Sequence, residues 1–377
     1  MSPRRTPLIL AFAALSPLVL ALAGCGGGSE GPPPPSAEAQ AAVRDDGGAA
    51  RLPLARSIDG LFDTDAVGQT QALLVMKRGS VIAERYAPGI DAKTPLPGWS
   101  MAQCVTALMI GQLVSDGRLR MDETAPVPDW QRPGDPRGEI TLRQLLQMRS
   151  GLRHSETAEP ERKSDRTRML FLDGRDDMAA YAEAQPLEAP AGRVFEPSSA
   201  TGVILADLAG RVLTDSRTPD LRRRAVSDYL RTRVLDPVGM KATQVSFDRA
   251  GTMVGSSMML APARDWAMLG EFLRHNGSVK GAQVLPHRWV DFMRTASPRN
   301  PAYGAGVWLN GTPPKGTPPL WPGQARKGVF GCRGEYGQYA VGSPDQLLTV
   351  VRLGHTSREQ EAALHDRMGD LLALFPG

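Results

Sequence analysis

Trp99-Ser100-Met101-Ala102-Gln103 is the stretch on which the reading of this fold turns. Ser100 opens a segment in which Val105, Leu108, Met109, Gln112 and Leu113 recur at helical spacing. Asp116-Gly117 closes it, so the pattern predicts an apolar helix from Ser100 to about Ser115. Ser-x-x-Gln ahead of an apolar run is also a capping box, which would give the Ser100 hydroxyl a purely local use at a helix start. Just before it, Leu73 to Tyr86 reads as two strands about Arg78-Gly79-Ser80, a hairpin signal.

Downstream, Thr141-Leu142-Arg143-Gln144 is a second capping box, for a short helix closing at Gly151. Helical patterns follow over Asp177 to Ala184, Ala200 to Leu213, around Tyr229, and from Ala263 to Arg274. Strand patterns return at Tyr303 to Leu309, Gly328 to Val341 and Leu347 to Leu353, with Ser343-Pro344-Asp345 as the turn before the last. Thr356-Ser357-Arg358-Glu359 caps a final amphipathic helix reaching Leu374. Strands, helices, strands and a helix, in that order, predict an α+β domain. Its antiparallel sheet draws strands from both ends of the chain, with helices flanking it and a helical insertion between.

The N-terminus reads as a targeting segment. Arg4 and Arg5 precede an apolar stretch from Leu8 to Leu22 that Ser16 and Pro17 interrupt, too short for a confident membrane span. Leu22-Ala23-Gly24-Cys25 follows and resembles the lipobox of bacterial lipoproteins, which implies cleavage before Cys25 and a lipid on its sulfur. The alternative is an ordinary secretory signal cut after a small residue. Residues 25–50, rich in Gly, Pro and Ala, read as a tether, and the folded domain is expected over 51–377.

Composition narrows the function. Hydrophobic residues make up 41% of 377, enough for a sizeable core. The formal charge is only +4, half of it from Arg4 and Arg5, which argues against a nucleic-acid partner. The three cysteines, Cys25, Cys104 and Cys332, form no CxxC pair, and the five histidines are scattered. No metal and no cofactor is expected.

Several segments together resemble the serine β-lactamase and penicillin-binding-protein family, in the branch holding class C β-lactamases, esterases and 6-aminohexanoate-oligomer hydrolases. They are Trp99 to Ala102, Ile140 to Leu152, Asp177 to Tyr181, Phe195 to Ser199, Val254 to Ser257, Ala263 to Trp266, Tyr303 to Gly306, Gly337 to Tyr339 and Val350 to His355, in the family's order. The resemblance implies a β-lactamase/transpeptidase-like fold and three catalytic elements. The first is Ser-x-x-Lys, whose neutral lysine takes the serine's proton. The second is a tyrosine loop, whose phenol relays a proton to the leaving group. The third is Lys-Thr-Gly or His-x-Gly on an edge strand. The serine's N–H and that of the residue after the strand glycine form the oxyanion hole.

Aligned this way, Ser100 holds the nucleophile position, but Gln103 replaces the lysine and Pro197 the tyrosine. Glutamine has no useful basicity and proline no proton to relay. The third element reads Glu335-Tyr336-Gly337-Gln338, with Glu335 replacing the base and Gln338 sharing the oxyanion hole with Ser100. Ser198, Ser199 and Gly337 are expected at the pocket, although the two serines would equally serve as helix caps. His154 reads as a solvated loop residue rather than a substitute base, and Glu335 as an exposed strand charge or a partner for a ligand amine. Cys104 and Cys332 are read as buried free thiols, the alternative being a disulfide that export would permit.

The leading expectation is a lipid-anchored envelope protein whose pocket binds a small molecule, peptide or cell-wall fragment without turning it over. Two others stay open: an active esterase or hydrolase working through Ser100, and a structural envelope protein using only its surface.

Overall fold

The computed structural model describes residues 1, 33–45, 47–315, 317 and 319–377. The leader and Cys25 lie outside them. Two compact units divide between Pro34 and Pro35, and every element named here belongs to the second, Pro35–Gly377.

That unit begins before the expected boundary. Helix α1 (Ala37–Ala42) is capped by Ser36, whose hydroxyl also donates to Asp59 on α2 (Arg51–Leu61) at 2.6 Å. Ala39, Val43 and Ala49 are buried with α2. The tether therefore does not extend to residue 50: small alanines let α1 lie close on its neighbour, a packing use that composition alone does not express.

The hairpin is present as expected. Strands β1 (Gln69–Lys77) and β2 (Ser80–Tyr86) join where Lys77 pairs with Ser80. Arg78 (φ 53°) and Gly79 (φ 80°) both take the left-handed conformation that a two-residue hairpin turn with strand-matching twist needs. The helical middle includes α3 (Ala102–Ser115), α4 (Asp165–Phe171), α5 (Met178–Glu183), α6 (Ser199–Leu213) and α7 (Ala263–Arg274). Four strands follow, β3 (Trp308–Leu309), β4 (Phe330–Gly334), β5 (Gln338–Ser343) and β6 (Leu348–His355), then α8 (Glu361–Ala373). The sheet order is β2-β1-β6-β5-β4-β3, antiparallel throughout.

Alternation along β1 explains the layers. Leu73 and Val75 face α1, α2 and α8, while Leu74 and Met76 face the core that holds α3, α6 and α7. Two expected strands differ from the reading. Only Trp308–Leu309 of the 303–309 segment is strand. The Gly328–Val341 run is broken at Glu335–Gly337, where Tyr336 (φ 58°) and Gly337 (φ 76°) reverse the chain. Glu335 thus sits in a turn and not on a strand.

Candidate active site

Ser100 sits in a tight 3-10 turn, Trp99–Met101, directly ahead of α3. The turn is held under constraint on two sides. Trp99 has φ 47°, an uncommon left-handed value for a bulky residue, of the kind that concentrates at functional sites. A Cβ on Gly98 would lie 2.2 Å from the Trp266 ring, and a Cβ on Gly334 would lie 2.3 Å from the Gly98 carbonyl oxygen. Glycine at both positions lets β4 press its backbone against the Ser100 turn. The Ser100–Gln103 capping box does not form: neither helical segment has a side-chain cap at its start. The Ala102 amide already bonds the Trp99 and Ser100 carbonyls, so the turn itself satisfies a donor that a Ser100 cap would otherwise take.

A cavity of about 260 Å³ opens beside Ser100, with Gln103 and Pro197 in its wall. Among the described residues, neither the Ser100 hydroxyl nor the Gln103 amide has a hydrogen-bond partner. Ser198 is spent on structure, capping α6 by accepting from the Thr201 amide (3.3 Å). Ser199 faces a smaller recess shared with Ser100. Its hydroxyl donates to Glu156 Oε2 at 3.0 Å, and its amide also donates to Glu156.

Glu156 is the group nearest in kind to a general base here, since it lines the Ser100 cavity. Its other contact is His154, whose Nε2 lies 3.0 Å from Glu156 Oε1. The His154 side chain is fully buried, so it is not the solvated loop residue expected from sequence. Burial works to raise the Glu156 pKa, but His154 and the two Ser199 donors outweigh it and hold the carboxyl below its usual range. A carboxylate held low and already accepting several bonds is a weak base for a serine hydroxyl.

The strand pressed against the Ser100 turn ends in Cys332-Arg333-Gly334, and Glu335-Tyr336-Gly337, read as the third element, form the turn after it. Cys332 lies two residues before Gly334 on this strand. It is joined to Cys104 on α3 in a disulfide with Cα atoms 6.1 Å apart, so the expectation of two free thiols is corrected. The close approach that Gly98 and Gly334 permit brings α3 and β4 within bridging distance. Glu335, the residue after Gly334, lines the Ser100 cavity, whereas Gln338 is not in its wall. Gln338 is buried elsewhere: its side chain donates to the carbonyls of Glu335 (2.9 Å), Tyr336 (3.1 Å) and Gly354 (2.6 Å), pinning the turn. Gly337 does line the cavity.

Two further groups escaped the sequence reading. Arg166 on α4 reaches the cavity, where its guanidinium donates to both Glu335 and Glu161 (2.9 Å to the latter). Burial disfavours its charge, yet these carboxylates outweigh that and raise its pKa. Glu335 is therefore half of a salt bridge rather than a solvated strand charge. Tyr303 contributes its ring to the cavity wall, edge-on to Trp308 at 5.1 Å. Burial pushes its phenol pKa up, so it stays protonated and cannot act as a base. Tyr303 lay within a recognised segment without a role, whereas Arg166 carried no local signal. Among the described residues, no group of three or more His, Cys, Asp or Glu side chains is placed to hold a metal.

Comparison with known proteins agrees with this fold. A family model described as Beta-lactamase matches residues 62–375. A candidate 6-aminohexanoate-dimer hydrolase from Bacillus anthracis superposes with a TM-score of 0.66 at 21% identity, covering 90% of this chain and 87% of that one. A candidate β-lactamase from Bacteroides dorei gives 0.62 at 19% identity, over 86% and 99%. A penicillin-binding-protein homolog from Caulobacter crescentus gives 0.58 at 17%, over 86% and 99%. At these identities the likeness speaks for the fold alone. No curated protein matches the sequence.

Proposed function

This chain belongs to the beta-lactamase family, and within it we propose an exported lipoprotein whose cleft binds a peptide, amide or ester without efficient turnover. One observation carries the reading: the Ser100 cavity presents Gln103 and Pro197 where proton transfer would need a base and an acid. A positioned base or acid contributes roughly 10² to 10⁴-fold each, and such losses do not simply add. An oxyanion hole and binding alone can leave about 10³ over water. Slow reaction with an activated ester is consistent with that figure; β-lactam turnover is not.

The rival reading, an active hydrolase, draws support from one feature. Glu156 is an ionised carboxylate in the same cavity. Its bonds to Ser199 and its proximity to His154 weigh against it, because proton transfer from Ser100 would have to disrupt them. Incubation of the purified protein with a fluorophosphonate and with a labelled penicillin, followed by peptide mapping, separates the two. The binding reading expects at most slow fluorophosphonate labelling of Ser100 and none by penicillin. Hydrolysis of p-nitrophenyl esters at ordinary enzyme rates, lost in Ser100→Ala, would establish the rival instead.

A further inference from the structure

The cleft does not end at the Ser100 cavity. Through Arg166 and Glu335 it continues into an outer basin of about 570 Å³. Four carboxylates line that basin, Glu159, Glu161, Glu335 and Glu361, against the guanidiniums of Arg166 and Arg358. Arg166 is already shared between Glu161 and Glu335. Glu159 and Glu361 take part in no ion pair among the described residues. The basin therefore keeps an excess of negative charge that internal pairing does not cancel.

A second observation lies at the inner end. The Ser257 hydroxyl is 4% exposed, has no hydrogen-bond partner, and lines the recess shared by Ser100 and Ser199. A buried hydroxyl without a partner is costly, and a ligand polar group entering the recess would satisfy it. Between the two ends lies the Tyr336 ring, which lines both spaces and meets Trp99 edge-on at 5.3 Å.

We infer that the ligand is a short peptide or amide carrying a protonated amine. Its amide group bonds Ser257 beside Ser100, and its ammonium lies in the outer basin near Glu159 and Glu361. This rests on the reading that the cleft binds such compounds. A carboxylate-bearing ligand is disfavoured by the balance of charge: Arg166 is already shared between Glu161 and Glu335, and Arg358 alone would face it against four carboxylates.

Calorimetric titration of the full-length protein with Nα-acetyl-alanyl-alanyl-lysine amide, whose side-chain ammonium is its single charge, and with its Nε-acetylated form tests the assignment. We expect the free amine to bind about tenfold more tightly, with the preference shrinking as salt is raised. The double variant Glu159→Gln/Glu361→Gln should bring the two peptides to equal affinity, and Ser257→Ala should weaken both alike. Equal binding by the native protein, tighter binding of the acetylated peptide, or no binding of either would overturn the assignment. Failure of the underlying binding reading would show separately, as Ser100-dependent ester turnover at enzyme rates.

Discussion

Cys104 and Cys332 join α3 to β4 by a disulfide that spans a sequence separation of 228 residues, with both sulfurs buried. Cys104 lies one turn beyond Ser100, and Cys332 lies two residues before Gly334, whose backbone abuts the Ser100 turn. The bridge thus fixes the Ser100 turn against the strand beside it.

Removing the bridge should be costly. Closing a loop this long is worth about 5 kcal/mol in the chain-entropy treatment. Cys104→Ser/Cys332→Ser should therefore lower the denaturant midpoint sharply. Titration of the denatured, unreduced protein should find neither thiol free. Two reactive thiols from these positions would contradict the bridge.

Restoring chemistry should need more than one change. Gln103→Lys places an amine beside Ser100, so fluorophosphonate labelling, whose fluoride leaves without a proton, should rise, but amide hydrolysis should stay slow because Pro197 offers no proton for the leaving nitrogen. Adding Pro197→Tyr should raise amide hydrolysis further, with Ser198 left intact to cap α6. If Gln103→Lys alone gave enzyme-like rates, the role assigned to Pro197 would be wrong.

Stability should fall toward alkaline pH because of Glu183. Its carboxyl is buried beside Asp207 on α6, with Arg211 3.1 Å away. Burial, then the Asp207 charge, push its pKa from 4.5 up to about 8. A folded pKa above the unfolded one means that the protonated form is the stabilised one. Its contribution is complete below pH 4.5 and is lost as pH rises through about 8. Glu183→Gln keeps the group neutral at every pH, so its melting temperature should fall less than that of the native protein over this range. Parallel melting curves for the two proteins would remove Glu183 as the cause.

Anchoring is tested by mass spectrometry of protein from its native membrane. The expected product lacks residues 1–24 and carries a diacylglycerol-modified Cys25. An intact leader, or a free thiol on a mature N-terminal Cys25, would leave the cleft reading standing and remove the lipid from it.

Much of the fold is written locally. The Arg78-Gly79 turn, the apolar spacing through Leu113, the Thr141–Gln144 capping box and the helix read over Ala200 to Leu213, which begins at Ser199, each depend on neighbours within a few residues, and each forms. The Ser100 capping box has an equally good local signature and does not form, because backbone contacts from β4 and Trp266 shape that turn more strongly than the side chain of Gln103.

By itself, then, the sequence determined the order of elements and the family, and it carries Gln103 and Pro197 where the resemblance implies a lysine and a tyrosine, since the identity of a residue needs no coordinates. Only the tertiary structure decided the strand register at Gly334, the Cys104–Cys332 bridge, the burial of His154 against Glu156 and the shared pairing of Arg166. Glu335 lies 169 residues from Arg166, and neither segment carries a local mark of the other. Such pairs exist only once the sheet and the helical insertion have closed on each other, where burial turns distant charges and thiols into neighbours.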